Sequence, residues 1–337
     1  MAPENKIVVG VDVAKESLAV SVFDGLKHEY MMIDYTQKAI KKELLERFKR
    51  LKTSVVFVME ATGVYHSNLA HWLYGAGFDV AIINPLIIKR YTQMKMTRVK
   101  TDKSDCVLIA EYGFREKLNL FKPKSKESLE IGIILKTIED FLHQKSITQS
   151  QRHALMHQAN YPKEIVKVYE NLIKFITQEI RMLKEKMQLL LKEHFINEYT
   201  LLSSIKGIGL MSSAMIVSIF DSFKNFDTAK QAASFVGIAP APYESGTSVK
   251  KRGSISKQGS PLARKLLYMA TLSGMQFNEL LKVYYTRLLE NGKSKKQAMI
   301  AVSHKLLRIA FGVLKHNKPF TLNHVQERKM INSAKKT

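Results

Sequence analysis

The sequence predicts an α/β domain built on a mixed sheet, followed by a mostly α-helical remainder. Three observations carry this. Short β-branched runs alternate with helical segments through residues 6–116. Apolar residues then recur at helical spacing in a long stretch interrupted at Tyr161-Pro162. Between the two lies FKPKSK (121–126), a polar, proline-broken stretch.

Residues 6–23, KIVVGVDVAKESLAVSVF, form two β-branched runs around a polar break, the signature of a β-hairpin. Ile40, Leu44, Leu45, Phe48 and Leu51 give 37–52 a helical period. SVVFVME (54–60) reads as a short buried strand, 66–75 as a helix and FDVAIIN (78–84) as another strand. Pro85 opens the basic segment IIKRYTQMKMTRVK, and Thr101 is an N-cap for the helix beginning TDKSDCVLIAEY. Beyond the break, a helical stretch is interrupted at Tyr161-Pro162. Its second half places Leu172, Ile176, Ile180, Leu183, Met187 and Leu190 on one face, which predicts a helical hairpin or short coiled coil, with a dimer arm as one use. LLSSIKGIGLMSSAMIVSIF reads as helix, tight turn, helix, and further helices are expected over 261–316 before a basic tail. The expected domains are 1–122, a helical linker 123–200, a third domain 201–320 and a tail 321–337.

Charge narrows the function. The chain carries 53 Lys+Arg against 30 Asp+Glu, a net +23. From Gly246 onward there are 19 cations and 3 acids, so most of the surplus lies in the last 92 residues. Such a field attracts polyanions, and nucleic acid fits better than an anionic membrane because no basic amphipathic anchor stands out. No apolar run approaches the ~20 residues of a membrane span. MAPENK carries an acid and leads straight into a strand, unlike a signal peptide. The single cysteine, Cys106, forbids an intrachain disulfide. A reducing cytosol is expected, with the protein at the nucleoid of a bacterium or archaeon.

Four carboxylates stand out. Asp12 ends an apolar strand, Glu60 ends a second, and Asp102 and Asp105 lie three apart at a helix start, on one face. If the strands are neighbours and the helix packs on them, all four reach one place. Phosphodiester chemistry needs attacking and leaving oxygens stabilised in line, which two Mg²⁺ ions about 3.5–4 Å apart achieve. Mg²⁺ favours hard carboxylate oxygen. Lys89, Arg90, Lys95, Arg98 and Lys100 nearby would hold a nucleic-acid backbone. Taken singly, each acid also fits a turn, an ion pair or a helix N-terminus. His153 and His157 have metal-ligand spacing on a helix, but no carboxylate or cysteine set accompanies them.

VGVDVAKESLAV, FVMEATGVYH and KTDKSDCVLIAEY resemble the DEDD-type insertion-sequence transposases, the bridge-RNA-guided recombinase family with a RuvC-like N-terminal domain. IKGIG and FVGIAPAPYESGTSVKKRGSISKQGSPLARKLLYMA are similar to that family's serine-bearing transposase domain. The resemblance covers both ends of the chain in the right order; the middle helices carry little signature. It implies an RNase H-like (RuvC-like) fold, then a coiled coil, then a helical transposase domain. It also implies that Asp12, Glu60, Asp102 and Asp105 are the metal-binding tetrad. By resemblance the protein cuts and rejoins DNA strands between an element and its target, under a noncoding bridge RNA, as a dimer or tetramer.

Two basic features of the C-terminal half complete the expected site. Lys206-Gly207-Ile208-Gly209 between apolar helices looks like a helix-hairpin-helix, whose second helix can present its N-terminal N–H groups to a phosphate. PYESGTSVKKRGSISKQGS (242–260) is too polar and broken for a core element and reads as a surface loop. A serine there has no base of its own and no Gly-x-Ser-x-Gly elbow. Lys250, Lys251, Arg252 and Lys257, with Arg264 beyond, supply cations for a phosphate. The family carries a nucleophilic serine in this domain, and Ser245-Gly246 is the best match; Ser248, Ser254 and Ser256 compete. Glu244 either orients the hydroxyl or caps the turn.

Other classes remain open on the sequence. A RuvC-like nuclease hydrolysing branched DNA needs the tetrad but not Ser245. A non-enzymatic nucleic-acid-binding protein needs neither. A sugar or acetate kinase fits poorly, because no Gly-rich nucleotide loop is present and the charge is so basic.

Overall fold

The computed structural model describes residues 6–61, 63, 65–96, 101–245 and 249–321, with backbone alone at 240–254. The chain divides into two compact units between Pro123 and Lys124.

The first unit is a five-stranded mixed sheet of order β3-β2-β1-β4-β5. β1 (Ile7–Val13), β2 (Ser17–Phe23) and β3 (His28–Asp34) run antiparallel; β4 (Val55–Glu60) and β5 (Asp79–Ile83) continue it in parallel from β1. β1 and β4 are covered on both faces, so both read as near-continuous apolar runs. One face packs Val9, Val11, Phe57 and Met59 against α2 (Tyr65–Gly75) and the helical stretch over 37–51. That stretch begins as α1 (Gln37–Ile40), then widens at 41–46 and tightens at 49–51. The other face packs Val8 and Val58 against α3 (Pro85–Met94) and α4 (Asp102–Arg115). β3 was not legible as a strand: it is an edge with only Ile33 buried, so HEYMMID shows no alternation.

The second unit begins with two long helices, α5 (Lys126–Met156) and α6 (Lys163–His194), joined across Tyr161-Pro162. The expected helical hairpin is present. Ile131, Leu135 and Ile138 of α5 join Ile176, Ile180, Met187 and Leu191 of α6 in one core. Leu172 departs from the expected face. It is exposed, because the true seam runs through Ile176 and Ile180. That core continues into α7 (Ile196–Ser203), α8 (Leu210–Ser218), α9 (Ala229–Val236), α10 (Pro261–Phe277), α11 (Glu279–Glu290) and α12 (Lys295–His316). Lys124 seals one end of α8 by donating to the carbonyls of Ser218 (2.5 Å) and Ile219 (3.1 Å). Among the described residues, α12 alone is long and apolar enough to cross a membrane by length and composition. No such run stood out in the sequence; in the fold its inward side, including Val302, Leu306 and Leu307, is buried in this core.

The 242–260 stretch is not the irregular loop its composition suggests. β6 (Pro240–Ser245) and β7 (Val249–Ile255) form an antiparallel hairpin, with Ser245 opposite Val249 and Glu244 opposite Lys250. A ladder of backbone bonds needs no apolar alternation, and PYESGTSVKKRGSI shows none, so hydropathy does not reveal it.

Candidate nucleic-acid cleavage site

The sheet and α4 set the positions of the four acids. Val11 pairs with Met59 in the parallel β1–β4 ladder, so Asp12 and Glu60 follow side by side at the C-terminal ends of neighbouring strands. Side chains alternate along a strand. Val8 and Val58 pack toward α4, so Asp12 and Glu60, in step with them, belong to that same face. α4 lies close on β1 because position 10 is glycine: a Cβ there would stand 2.8 Å from the Ala110 Cβ and overlap the Cys106 carbonyl. Gly113 does the same one face-turn later, where a Cβ would meet Val58 Cγ2 at 2.6 Å.

Cys106, Ile109, Ala110 and Gly113 are thus the buried, sheet-facing positions of α4. Asp102 and Asp105 precede Cys106 and Ile109 by one turn and extend the same face toward the strand ends. The helix start is fixed by a capping box. Thr101 Oγ1 accepts from the Ser104 N–H at 3.1 Å, and the Thr101 N–H donates to Ser104 Oγ at 2.8 Å.

The Cys106 thiol reports the local field. Burial pushes it up to about 12, and the negative charges of Asp12 and then Asp105 push the same way. A strand acid and a helix acid therefore act on one sulfur. Asp12, Glu60 and Asp105 are half-buried and Asp102 is exposed. Among the described residues, no three His, Cys, Asp or Glu side chains enclose a metal position. The donor set is nonetheless hard carboxylate oxygen at a water-accessible edge, which suits a Mg²⁺ ion that keeps several waters. Sequence reasoning missed Cys106 as part of this site; its place beside Asp105 in SDCVLIA was the only signal.

The expected cations divide. Lys89 and Arg90 are exposed on α3. Lys95 instead forms an ion pair with Glu111 Oε2 at 2.6 Å, tying α3 to α4. Arg98 and Lys100 lie outside the described residues. Lys103 sits over the Tyr30 ring, 5.5 Å from its centre.

In the second unit, the Gly-Ile-Gly turn joins α7 to α8. Lys206 and Gly209 are exposed, and Gly209 is the residue before the first turn of α8. Gly207 serves packing: its φ is +107°, and a Cβ there would stand 2.5 Å from Gly274 Cα on α10. Ser245 is the last residue of β6; Gly246, Thr247 and Ser248 lie outside the described residues. Lys250, Lys251, Arg252 and Ser254 are all on β7. Ser256 Oγ accepts from the Gln258 N–H at 3.4 Å. Lys257 is exposed. Arg264 is committed internally, its Nη1 donating to the carbonyls of Val236 (2.8 Å) and Gly259 (3.2 Å). His153 and His157 are exposed, with their Nε2 atoms 3.0 Å apart.

Known proteins match along the same lines. A family model described as "Transposase" matches residues 9–161, and one described as "Transposase IS116/IS110/IS902 family" matches 199–286. The Pilin gene-inverting protein of Moraxella lacunata is 30% identical over 94% of this chain and 98% of its own. The transposase for insertion sequence element IS1111A of Coxiella burnetii is 22% identical over 93% of this chain and 91% of its own. Among solved structures, T. thermophilus RuvC in complex with Holliday junction substrate matches at 15% identity and a TM-score of 0.26, over 34% of this chain and 99% of that one. Two matched regions in family order, and a relative aligned along nearly its whole length, place the chain in the IS110-type transposase family.

Proposed function

We propose that this transposase cuts and rejoins DNA strands with Ser245 as nucleophile and the acids Asp12, Glu60, Asp102 and Asp105 as its charge-handling partners. The supporting observation is the close seat of α4 on β1 at Gly10, with Asp12 and Asp105 both acting on the buried Cys106 thiol, which brings one strand-end acid and one helix acid to one locality. Residues 1–122 would be the RNase H-like part, 123–200 the coiled-coil linker, 201–320 the transposase domain and 321–337 a basic tail.

The chemistry assigns a task to each group. Ser245 Oγ forms a bond to phosphorus as the scissile P–O bond breaks. The departing strand oxygen takes up a proton and the serine proton passes to a carboxylate. One phosphodiester is exchanged for one protein–DNA ester, so joining is the same exchange run with the hydroxyl of another strand. A divalent ion, Mg²⁺ by donor type, held by the four acids would stabilise charge on the attacking and leaving oxygens. Lys250, Lys251, Arg252 and Lys257 neutralise the phosphoryl oxygens. The Gly-Ile-Gly turn acts as a helix-hairpin-helix, Lys206 and the N–H groups after Gly209 holding backbone phosphate; Gly207 contributes by letting α10 approach.

Donor and target DNA are the substrates, and a noncoding bridge RNA pairing with both is the proposed guide. Joining two duplexes takes more than one active site, so the chain acts as a homo-oligomer, a dimer or tetramer.

The test uses full-length protein and the nucleic acid that copurifies with it. Ser245→Ala and Asp12→Asn should each abolish cleavage and joining while DNA binding persists. Cleavage surviving in Ser245→Ala alone would favour hydrolysis by water, the RuvC-like nuclease. Full activity in Asp12→Asn and Glu60→Gln would leave a binding protein. Sequencing of the copurified nucleic acid should return one defined RNA; its repeated absence from active protein removes the guide.

A further inference from the structure

The end of α3 breaks two local rules at one residue. Its last turn closes on Met96, whose N–H donates to the Gln93 carbonyl at 3.1 Å and whose φ is +53°. A side chain is disfavoured in that left-handed region, because its Cβ crowds the following carbonyl. Helix ends of this kind take glycine or asparagine. This chain follows that preference elsewhere: α9 ends on left-handed Gly237 and α12 on left-handed Asn317. At α3 a methionine stands there instead. Burial does not compensate, since Met96 is 86% exposed. Residues that keep a strained backbone cluster where a side chain is presented to a ligand.

The surroundings select the ligand. Ile87, Arg90 and Met94 lie three and four apart, on one side of α3, and all are exposed. From Pro85 to Thr101 there are five cations, Lys89, Arg90, Lys95, Arg98 and Lys100, and no acid. Apolar side chains set among cations fit a nucleic-acid strand. The cations meet phosphates, and the apolar groups meet the flat face of a base. Proteins that open a duplex insert such wedges, methionine among them, between base steps.

A wedge must be held from behind, and α3 is. Lys95, next to Met96, pairs with Glu111 Oε2 at 2.6 Å. Tyr91 is buried and packs edge-on against Tyr112, with ring centres 5.4 Å apart. Both partners belong to α4, the helix that carries Asp102 and Asp105. Met96 precedes Asp102 by six residues, at most about 22 Å of chain. That is about six base steps at roughly 3.4 Å each. Exchange between two duplexes requires bases near the cut to leave their own partners, so a base-opening group belongs beside the acids.

We infer that Met96, supported by Met94, is an apolar wedge that stacks against an unpaired base of the bound DNA strand, within about six steps of the cut. The inference rests on the strand-exchange reading for the identity of the DNA. It gives neither methionine a part in bond breaking.

The test reads base opening without cleavage. Full-length protein carrying Asp12→Asn, with its copurified nucleic acid, is bound at saturation to duplexes spanning the end of the element, each with 2-aminopurine at one position. That base brightens when it leaves the stack. One position or two adjacent ones should brighten, and Met96→Gly should reduce the signal at least fivefold. Met96→Leu, which keeps the apolar bulk, should retain most of it; Met96→Gln, of similar length but polar, should not. Met96→Gly should also raise the urea midpoint, since glycine accepts the left-handed turn. Stability and base opening then move in opposite directions, which a merely structural residue does not produce. No brightening at any position, an undiminished signal in Met96→Gly, or a lowered midpoint in that variant overturns the wedge. Met96-dependent brightening confined to label placed in the copurified RNA overturns the assignment to DNA. Failure of Ser245→Ala to block strand joining would leave the readout untouched, because no bond is broken in it.

Discussion

Gly10 decides how close the second pair of acids comes to the first. Its missing side chain lets α4 rest on β1, and the Asp12 and Asp105 charges then act together on Cys106. Gly10→Ala would drive a methyl into the Ala110 backbone and side chain, and neither can yield without moving the helix. We expect a loss of about 1–3 kcal/mol, the usual cost of overpacking a tight contact, read as a lower urea midpoint. The thiol supplies a local check. Cys106 is buried and its thiol is raised, so in the native state it stays protonated and unreactive near neutral pH. Gly10→Ala should label measurably faster with a thiol reagent than wild type, because labelling requires α4 to lift. An unchanged midpoint and an unchanged labelling rate would show that α4 does not depend on this contact. The acids themselves were legible in the sequence, since carboxylates ending apolar runs are conspicuous. The glycine that seats them was not. GVDVA looks the same whether or not a helix lies on it.

The β6–β7 hairpin shows the same gap between chemistry and geometry. Its cations and serines were plain in the sequence, but its strands were not. Backbone pairing by itself leaves no mark on hydropathy. Its base is held by features only the fold reveals. Gly237 and Gly259 bring the turn after α9 against the turn after β7, where a Cβ on Gly237 would stand 2.7 Å from the Gln258 N. Arg264 then donates across both turns. This separates two cations that look alike in SISKQGSPLARK. Lys257→Ala removes an exposed charge and should reduce the salt slope of DNA binding by about 1. Arg264→Ala should leave that slope unchanged. It should instead speed amide hydrogen exchange along Val249–Ile255, because an internal carbonyl of Val236 loses its donor at a cost of about 1–3 kcal/mol. If Arg264→Ala lowers the salt slope as Lys257→Ala does, the arginine contacts phosphate after all. The helical hairpin was read correctly as an element. The seam was misassigned at Leu172, since a helix with two apolar stripes offers two valid faces and the sequence does not say which one its own domain takes.

Over the whole molecule the charge is unequally shared. Residues 1–123 carry 19 Lys+Arg and 14 Asp+Glu, whereas 124–337 carry 34 and 16. The acids proposed to handle chemistry therefore belong to a nearly balanced unit, and the cations proposed to hold backbone belong to the more basic one. Such a division has a physical rationale. A strongly positive surround would compete with a divalent ion for the carboxylates, whereas cations carried by a separate unit add charge for the polyanion without crowding the acids' own fold. The prediction concerns how binding responds to salt. Each phosphate neutralised by a cation releases condensed counterions, so log affinity falls against log salt with a slope of about −0.9 per contact. If the basic half makes at least six phosphate contacts, the slope for duplex DNA is about −5 or steeper, and affinity drops roughly 10³-fold between 50 and 200 mM salt. Fluorescence anisotropy on a labelled duplex, with full-length protein freed of copurified nucleic acid, gives the slope directly. Asp12→Asn should shift it little, since one neutralised acid changes a net charge of +23 only slightly. Charge reversal of Lys250 and Lys251 together should flatten it by about 2. A wild-type slope shallower than about −2 would mean that the surplus charge faces something other than DNA. A slope unmoved by the reversal would take the β6–β7 hairpin out of the DNA path, and with it the case for Ser245 as the residue that attacks phosphorus.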